Sequence, residues 1–145
     1  MSIQYCSEDT SIPKFKKRNI TRWIKETIHQ EGKVAGDITF IFCSDAYLLE
    51  VNKQYLDHDY FTDIITFDYV EENLISGDIF ISCDRVQENA AEFNTGFDNE
   101  LRRIIIHGIL HLLGYKDKSK KDKLWMTTKE DYYLNQLSIS ELNTK

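Results

Sequence analysis

Two hydrophobic periods divide the first part of the chain into predicted elements. Apolar residues from Phe15 to Ile28 recur every three or four positions, which indicates an amphipathic helix that ends near Gly32. Residues 37–43 alternate instead and are rich in β-branched and aromatic side chains, so they predict a strand. A short strand over residues 2–6 is expected to precede the helix.

The middle of the chain predicts a helix followed by a β-hairpin. Ser44 is suited to cap a helix that runs to about Tyr55, and a polar, aromatic loop over residues 55–63 comes next. Residues 64–69 then predict a strand. The turn-forming segment 71–77 reverses the chain, and residues 78–82 predict the antiparallel partner of that strand.

Three helices are predicted in the last third of the chain. The first covers residues 84–93, the second begins at Asp98 and carries the histidines, and the third covers residues 121–137. The helical period of the third runs through Leu124, Trp125, Thr128, Tyr132 and Leu137. Strands mixed with helices at this length indicate an α/β (α+β) fold in a single domain over residues 1–145. We expect a small mixed β-sheet of about four strands covered by about five helices.

The composition is typical of a soluble protein, with 41% hydrophobic and 29% charged residues among 145. The N-terminus has no basic region followed by an apolar run, and no segment approaches the length of a membrane span. We therefore expect a cytoplasmic protein without membrane association. Cys6, Cys43 and Cys83 form no C-x-x-C pair and are expected to be reduced core thiols.

Two histidines carry the candidate chemistry. His107 and His111 lie four residues apart in an apolar run of helical period, so both imidazoles project from one helix face. Gly114 is placed to end that helix and reverse the chain, which would return Asp117 to the two rings. Two nitrogens and one carboxylate leave a position open for water, as in catalytic zinc sites, where the ion lowers the pKa of water to about 7. Metal-assisted hydrolysis is the leading hypothesis.

Other classes of protein also use a pair of histidines. Gly108 stands where the peptidase motif H-E-x-x-H has its glutamate, which argues against a peptidase. A glycine inside a helix also indicates the close approach of a neighbouring backbone or of a ligand. An iron oxygenase with two histidines and one carboxylate has a different ligand order. Two buried histidines bound to backbone carbonyls remain a purely structural alternative.

The charge distribution limits the partners. A net charge of −6 argues against a protein that coats nucleic acid non-specifically. Two basic clusters nevertheless occur, and for each a solvated surface is the commoner explanation: Lys14, Lys16, Lys17, Arg18, Arg22 and Lys25, and Lys116, Lys118, Lys120, Lys121 and Lys123. The second cluster adjoins the candidate metal site, where cations would hold a phosphate backbone.

The segment H-G-I-L-H-L-L-G-Y-K-D resembles the signature H-G-x-L-H-L-x-G-Y-D-H of the YbeY family of bacterial metal-dependent endoribonucleases. The run N-K-Q-Y-L-D-H-D-Y-F-T-D-I-I-T-F resembles the family block N-x-x-Y-R-x-x-D-x-P-T-D-V-L-S-F, and S-G-D-I-F-I-S resembles its L-G-D-I-x-I-S strand. Met126 and the E-D-Y-Y-L segment that starts at Glu130 resemble the family's last helix. The motifs follow one another in the family order over most of the chain.

The resemblance implies an endoribonuclease that cleaves single-stranded RNA, matures the 3′ end of small-subunit rRNA and takes part in ribosome quality control. It implies one Zn²⁺ per chain, with Mn²⁺ as the other candidate, and the small ribosomal subunit and its proteins as partners. The alternative is a ribosome-assembly binding protein with a structural metal and little turnover.

Two departures from the family pattern affect the site. Asp117 stands where the family has its third histidine, and aspartate is a competent zinc ligand, so we expect His107, His111 and Asp117 to be the metal ligands and catalytic residues. Leu56 replaces an arginine thought to handle phosphate, so that role passes to other candidates: His58, Arg102, Arg103 and Lys116. No residue stands out as a general base, and Asp63 and Asp78 are interpreted as turn or strand-end residues.

Overall fold

The computed structural model, which describes residues 2–143, contains one mixed sheet of four strands: β1 (Ile3–Ser7), β2 (Val34–Cys43), β3 (Ile64–Asp68) and β4 (Leu74–Ser82). The strand order is β1-β2-β4-β3. Strand β2 pairs with β1 and β4 in parallel, and β3 pairs with β4 antiparallel. The predicted hairpin and the mixed four-stranded sheet are confirmed.

Five helices complete the described chain: α1 (Lys17–Gln30), α2 (Asp45–Leu56), α3 (Cys83–Glu92), α4 (Phe97–Leu112) and α5 (Lys120–Asn143). Helices α1, α3, α4 and α5 contribute to the large hydrophobic core on one face of the sheet. Helix α2 covers the other face over a smaller core of Cys43, Leu48, Val51 and Ile65. The α+β fold predicted from the element order is thus confirmed. Among the described residues, no helix combines the length and apolar character that a bilayer crossing requires.

Gly108 lets α4 approach the sheet closely. A Cβ added there would lie 3.0 Å from Ile64 Cδ1 and 3.1 Å from Ile79 Cγ2. The expectation that a backbone or a ligand approaches Gly108 was therefore wrong, because side chains of β3 and β4 fill that space. The contact sets the distance between the histidine helix and the first residue of β3.

The buried face of α5 differs from the predicted one. Leu124, Trp125 and Tyr132 were placed on the apolar face, but they are 71%, 52% and 51% exposed. Of the predicted positions only Leu137 is buried, and it belongs to a set that repeats at intervals of four, three and four: Met126, Glu130, Tyr133 and Leu137. A purely sequence-based period selected the wrong side because both sides of this helix carry large apolar residues.

Smaller corrections concern strand lengths and one thiol. Strands β2 and β4 begin earlier than predicted, since they already pair at Val34 and Leu74, whose side chains carry no clear alternation signal. Cys6 was expected in the core, but it is exposed, because alternation along the edge strand β1 turns it outward. Cys43 is buried as expected, and all three cysteines are free.

Candidate metal centre

The two histidines of α4 meet on one side of the helix, as their spacing predicts. The Nε2 atoms of His107 and His111 are 3.0 Å apart, and the rings are nearly perpendicular, at 85°. Both side chains are mostly buried, with 20% and 24% of their surface exposed. Both side chains therefore remain partly open to solvent.

A glycine turn returns the chain to this point. Gly114 has a φ of +103°, a conformation that side chains disfavour. The Gly114 N–H donates to the His111 carbonyl and the Tyr115 N–H to the Leu110 carbonyl, which is the Schellman pattern of a helix end. The turn carries Asp117 back, so that its Oδ2 lies 3.4 Å from His107 Nε2 and 3.3 Å from His111 Nε2.

The outer nitrogen of each ring is held by a hydrogen bond. His107 Nδ1 lies 2.6 Å from Oε2 of Glu130, and His111 Nδ1 lies 3.1 Å from the Tyr115 carbonyl oxygen. A carbonyl only accepts, so Nδ1 of His111 carries its proton, and the carboxylate assigns the same tautomer to His107. In the neutral rings both Nε2 atoms are therefore lone-pair donors that face each other.

Three electron-pair donors without a proton of their own thus converge at one point. The two Nε2 atoms and the Asp117 carboxylate lie within 4.8 Å of one another. Such atoms repel each other unless a cation or a shared proton lies between them. Two imidazole nitrogens and one carboxylate oxygen are a donor set for a divalent metal ion, and ligating histidines typically bond a carboxylate or carbonyl through the other nitrogen. The residues present therefore fit a metal ion.

Glu130 is the partner of His107 that the sequence interpretation missed. Its side chain is only 7% exposed, and Arg103 neutralises it through a 2.8 Å contact to Oε1. Arg103 also binds Asp131 at 2.7 Å. The signal available in the sequence was a glutamate in register with Met126, Tyr133 and Leu137, because a carboxylate on a buried helix face requires a partner.

The surroundings shift the pKa values of the two histidines in opposite directions. Burial lowers the pKa of His107, but the hydrogen bond and charge of Glu130 outweigh it and leave the pKa above its ordinary value. Burial also lowers the pKa of His111, and the neighbouring His107 lowers it further. His111 is consequently the ring more readily kept neutral, with its Nε2 lone pair free.

Asp63 borders the site, although the sequence suggested only a turn or strand-end role. It follows the loop before β3 and lines a cavity of about 260 Å³ together with His107, Phe93 and Arg103. Burial raises the pKa of Asp63, the charge of His107 opposes this, and the charge of Asp117 adds to it. A carboxylate with a raised pKa beside a candidate metal centre is suited to proton transfer. Asp78 interacts with Tyr69 at the other end of the hairpin.

The four predicted phosphate-binding candidates lie in different environments. Arg102 forms two hydrogen bonds of 2.7 and 2.9 Å to Glu141, and Arg103 is bound to the carboxylates of α5. Lys116 is exposed next to Asp117. His58 lies in the exposed loop before Asp63, stacked on Tyr60 at 5.1 Å, and Asn52 anchors this loop by donating to the Tyr60 carbonyl.

Comparisons with known proteins agree with this architecture. The model of the family described as Endoribonuclease YbeY matches residues 2–138. The chain belongs to the YbeY endoribonuclease family. An Endoribonuclease YbeY from Parabacteroides distasonis is 53% identical over 131 residues, which are 90% of this chain and 92% of that protein. The YbeY from Phocaeicola vulgatus is 51% identical over 94% of this chain and 99% of its own length.

A solved structure extends the likeness to the fold. The solution structure of a Thermotoga maritima protein superposes with a TM-score of 0.69 at 31% identity, covering 99% of this chain and 93% of that one. The family resemblance seen in the sequence motifs is thereby confirmed over nearly the whole YbeY domain.

Proposed function

We propose that this chain is a metal-dependent endoribonuclease that hydrolyses phosphodiester bonds in single-stranded RNA, with His107, His111 and Asp117 as the metal ligands and catalytic residues. The observation that carries the proposal is the convergence of the two Nε2 atoms and the Asp117 carboxylate, with both Nδ1 atoms already bonded. The name shared by the family model and the similar curated proteins supports the nuclease activity.

A divalent ion bound there would activate a water molecule and offset the charge that grows on the phosphate oxygens. The chain's own residues orient and open the site. Glu130 and the Tyr115 carbonyl hold both rings in the ligating tautomer. The Asp117 side chain is 41% exposed, which leaves a side open to water and substrate. Asp63, in the cavity next to His107, is the residue best placed to accept a proton from the attacking water.

Zn²⁺, one per chain, is the ion that the donor set favours, because two imidazoles and a carboxylate match catalytic zinc sites. Asp117 adds a negative charge that a third histidine would not, which weakens the acidity of a bound water and makes Mn²⁺ the second candidate. Cleavage assayed with each ion after chelation distinguishes them. Zinc should restore the higher rate at equal occupancy.

The cellular role that we propose is maturation of the 3′ end of small-subunit rRNA and ribosome quality control in the cytoplasm, in contact with the small ribosomal subunit and its proteins. The family resemblance supports it. In cells depleted of the protein, 3′-extended small-subunit rRNA should accumulate. The wild-type gene should remove this precursor and the His107→Ala variant should not; absence of the precursor would contradict the role.

A second candidate function is ribosome-assembly binding with a structural metal and little turnover. It is favoured by Leu56, which stands 39% exposed at the end of α2 in the place of the family arginine, and by the pairing of Arg102 and Arg103 with carboxylates. These features leave fewer free cations for a phosphate next to the ligands.

One assay separates the two functions. A labelled single-stranded oligoribonucleotide and its duplex are incubated with the zinc- or manganese-loaded protein, with His107→Ala and with Asp131→Asn as a matched surface control. Endonucleolytic products from the single strand, lost only in His107→Ala, are the expected result. An intact single strand together with co-sedimentation of the protein with small ribosomal subunits would favour the binding function.

A further inference from the structure

An exposed tryptophan lies beside the turn that follows the histidine helix. Trp125 lies on α5 with 52% of its surface exposed, whereas Trp23, the other of the two tryptophans in the sequence, is 3% exposed. Trp125 forms one wall of a shallow cavity of about 350 Å³, whose other lining residues include Gly114, Tyr115 and Lys116. The Trp125 ring is neither one of the candidate metal ligands nor part of the hydrophobic core, so its position has no explanation in either.

The same backbone segment borders both the cavity and the metal ligands. The Tyr115 carbonyl accepts the hydrogen bond from His111 Nδ1, while the Tyr115 ring packs beside Trp125 with ring centroids 6.2 Å apart. Lys116 lines the cavity, and the next residue, Asp117, contacts both histidines. Residues 115–117 therefore connect the cavity that Trp125 lines to the candidate metal ligands.

The indole is held in place before any ligand arrives. Lys129 Nζ lies over the Trp125 ring, 5.3 Å from its centroid, and also bonds Glu31 at 3.3 Å. Tyr115 and Tyr133 both donate their hydroxyl hydrogen to the same Glu31 carboxylate. A ring fixed in this way loses little conformational freedom when a base stacks on it.

The charges around the ring suit a polyanion. The five lysines of the segment after the turn are all exposed, and none forms an ion pair with a residue in the described range 2–143: Lys116, Lys118, Lys120, Lys121 and Lys123. Inside the cavity the carboxylate of Glu31 is bonded to two phenols and Lys129, and Asp122 also lies there. The carboxylates of the cavity therefore favour a base over a phosphate inside it, while the lysines outside it attract the phosphate backbone of the RNA.

We infer that the open face of Trp125 stacks a base of single-stranded RNA whose chain continues from the metal centre, and that the lysines from residue 116 to 123 bind its phosphates. An aromatic platform beside a row of cations is the general arrangement for sequence-tolerant binding of single strands. The inference rests on the proposed function, because the ligand is the substrate of that site.

Intrinsic fluorescence tests the contact directly. The full-length protein, kept free of metal ions by a chelator so that it does not cleave, is titrated with a 12-nucleotide oligouridylate, and gel analysis verifies that the probe stays intact. Saturable quenching of the exposed tryptophan is the expected result, because Trp23 is shielded in the core. An emission that stays unchanged at saturating RNA, with binding verified by anisotropy of a labelled probe, would overturn the inference.

Variants separate stacking from charge. Anisotropy of the labelled oligouridylate should give a dissociation constant about 10-fold weaker for Trp125→Ala and nearly unchanged for Trp125→Phe, which keeps an aromatic face. Tyr69→Ala is the matched control, since Tyr69 is 56% exposed beyond the opposite end of β3. Lys120→Ala/Lys121→Ala should lower the dependence of binding on salt. Equal affinity of wild type and Trp125→Ala, or equal binding of duplex RNA, would refute the stacking.

The outcomes also distinguish this inference from the proposed function. RNA that is cleaved by the wild type, but bound equally by Trp125→Ala, refutes the platform and leaves the nuclease intact. RNA that binds, quenches Trp125 and is never cleaved with zinc or manganese refutes the nuclease and leaves the platform intact.

Discussion

Glu130 accepts a hydrogen bond from His107 across the interface between α4 and α5, with 2.6 Å between Oε2 and Nδ1. The contact joins residues 23 positions apart in the sequence. It makes α5 part of the candidate metal centre, because the helix supplies the group that fixes the tautomer of one proposed ligand.

Replacing Glu130 with glutamine should weaken metal binding without abolishing it. The amide oxygen still accepts from Nδ1, but the negative charge that strengthens His107 as a ligand is lost, so the affinity should fall about 10- to 100-fold. Competition with a chelating indicator measures it. Asp131→Asn is the control, since Asp131 shares Arg103 with Glu130 but lies 60% exposed. Equal losses in the two variants would assign the effect to Arg103 instead.

A side chain at Gly114 should lower the stability of the fold. The Gly114 φ of +103° strains any residue with a Cβ, so Gly114→Ala should destabilise the fold by about 1 to 2 kcal/mol, although nothing lies within 4 Å of the added atom. Metal affinity should fall with it, because the turn positions both the Tyr115 carbonyl and Asp117. Urea denaturation checks the stability. Gly114→Asn should cost less, and a fully stable Gly114→Ala would show that the turn relaxes freely.

The local parts of this molecule follow from its sequence, and the tertiary ones do not. The His107–His111 spacing, the Gly114 turn and the β3–β4 hairpin depend on neighbours within a few residues, so the pattern predicts them. Glu130 is different, since only the packing of α5 on α4 shows that its carboxylate meets His107. The outward placement of Trp125 was missed for the same reason: a periodic stripe does not reveal which side of a helix meets the core.

The hydrogen bonds and charge around Glu31 should make the free energy of unfolding depend on pH in the acidic range. Burial raises the pKa of Glu31, but hydrogen bonds from Tyr115 and Tyr133 and the charge of Lys129 outweigh it and lower the pKa below its usual value of 4.5. The contribution of ionised Glu31 to the free energy of unfolding is fully present above pH 4.5 and is lost as the pH falls through the lowered pKa. Unfolding free energies of wild type and Glu31→Gln at pH 7 and pH 3.5 measure this. The variant should lose less stability between the two; identical losses would contradict the prediction.

Asp63→Asn should slow catalysis and leave metal binding intact. The side chain lines the cavity beside His107 without belonging to the ligand group, so loss of its proton-accepting oxygen should lower kcat by about 10²- to 10⁴-fold. Metal content is determined on the same preparations. Asp59→Asn serves as the control, because Asp59 lies in the same loop and is 81% exposed. An unchanged kcat for Asp63→Asn would return Asp63 to a structural role at the strand end.

The most direct test of the metal centre is the ion content of the purified protein and its ligand variants, measured by mass spectrometry after equilibration with limiting zinc. The wild type and the control Asp122→Ala should hold about one ion per chain, while His107→Ala, His111→Ala and Asp117→Ala should lose more than the roughly 100-fold in affinity that supporting residues contribute. Wild-type occupancy in Asp117→Ala, or in either histidine variant, would contradict the account.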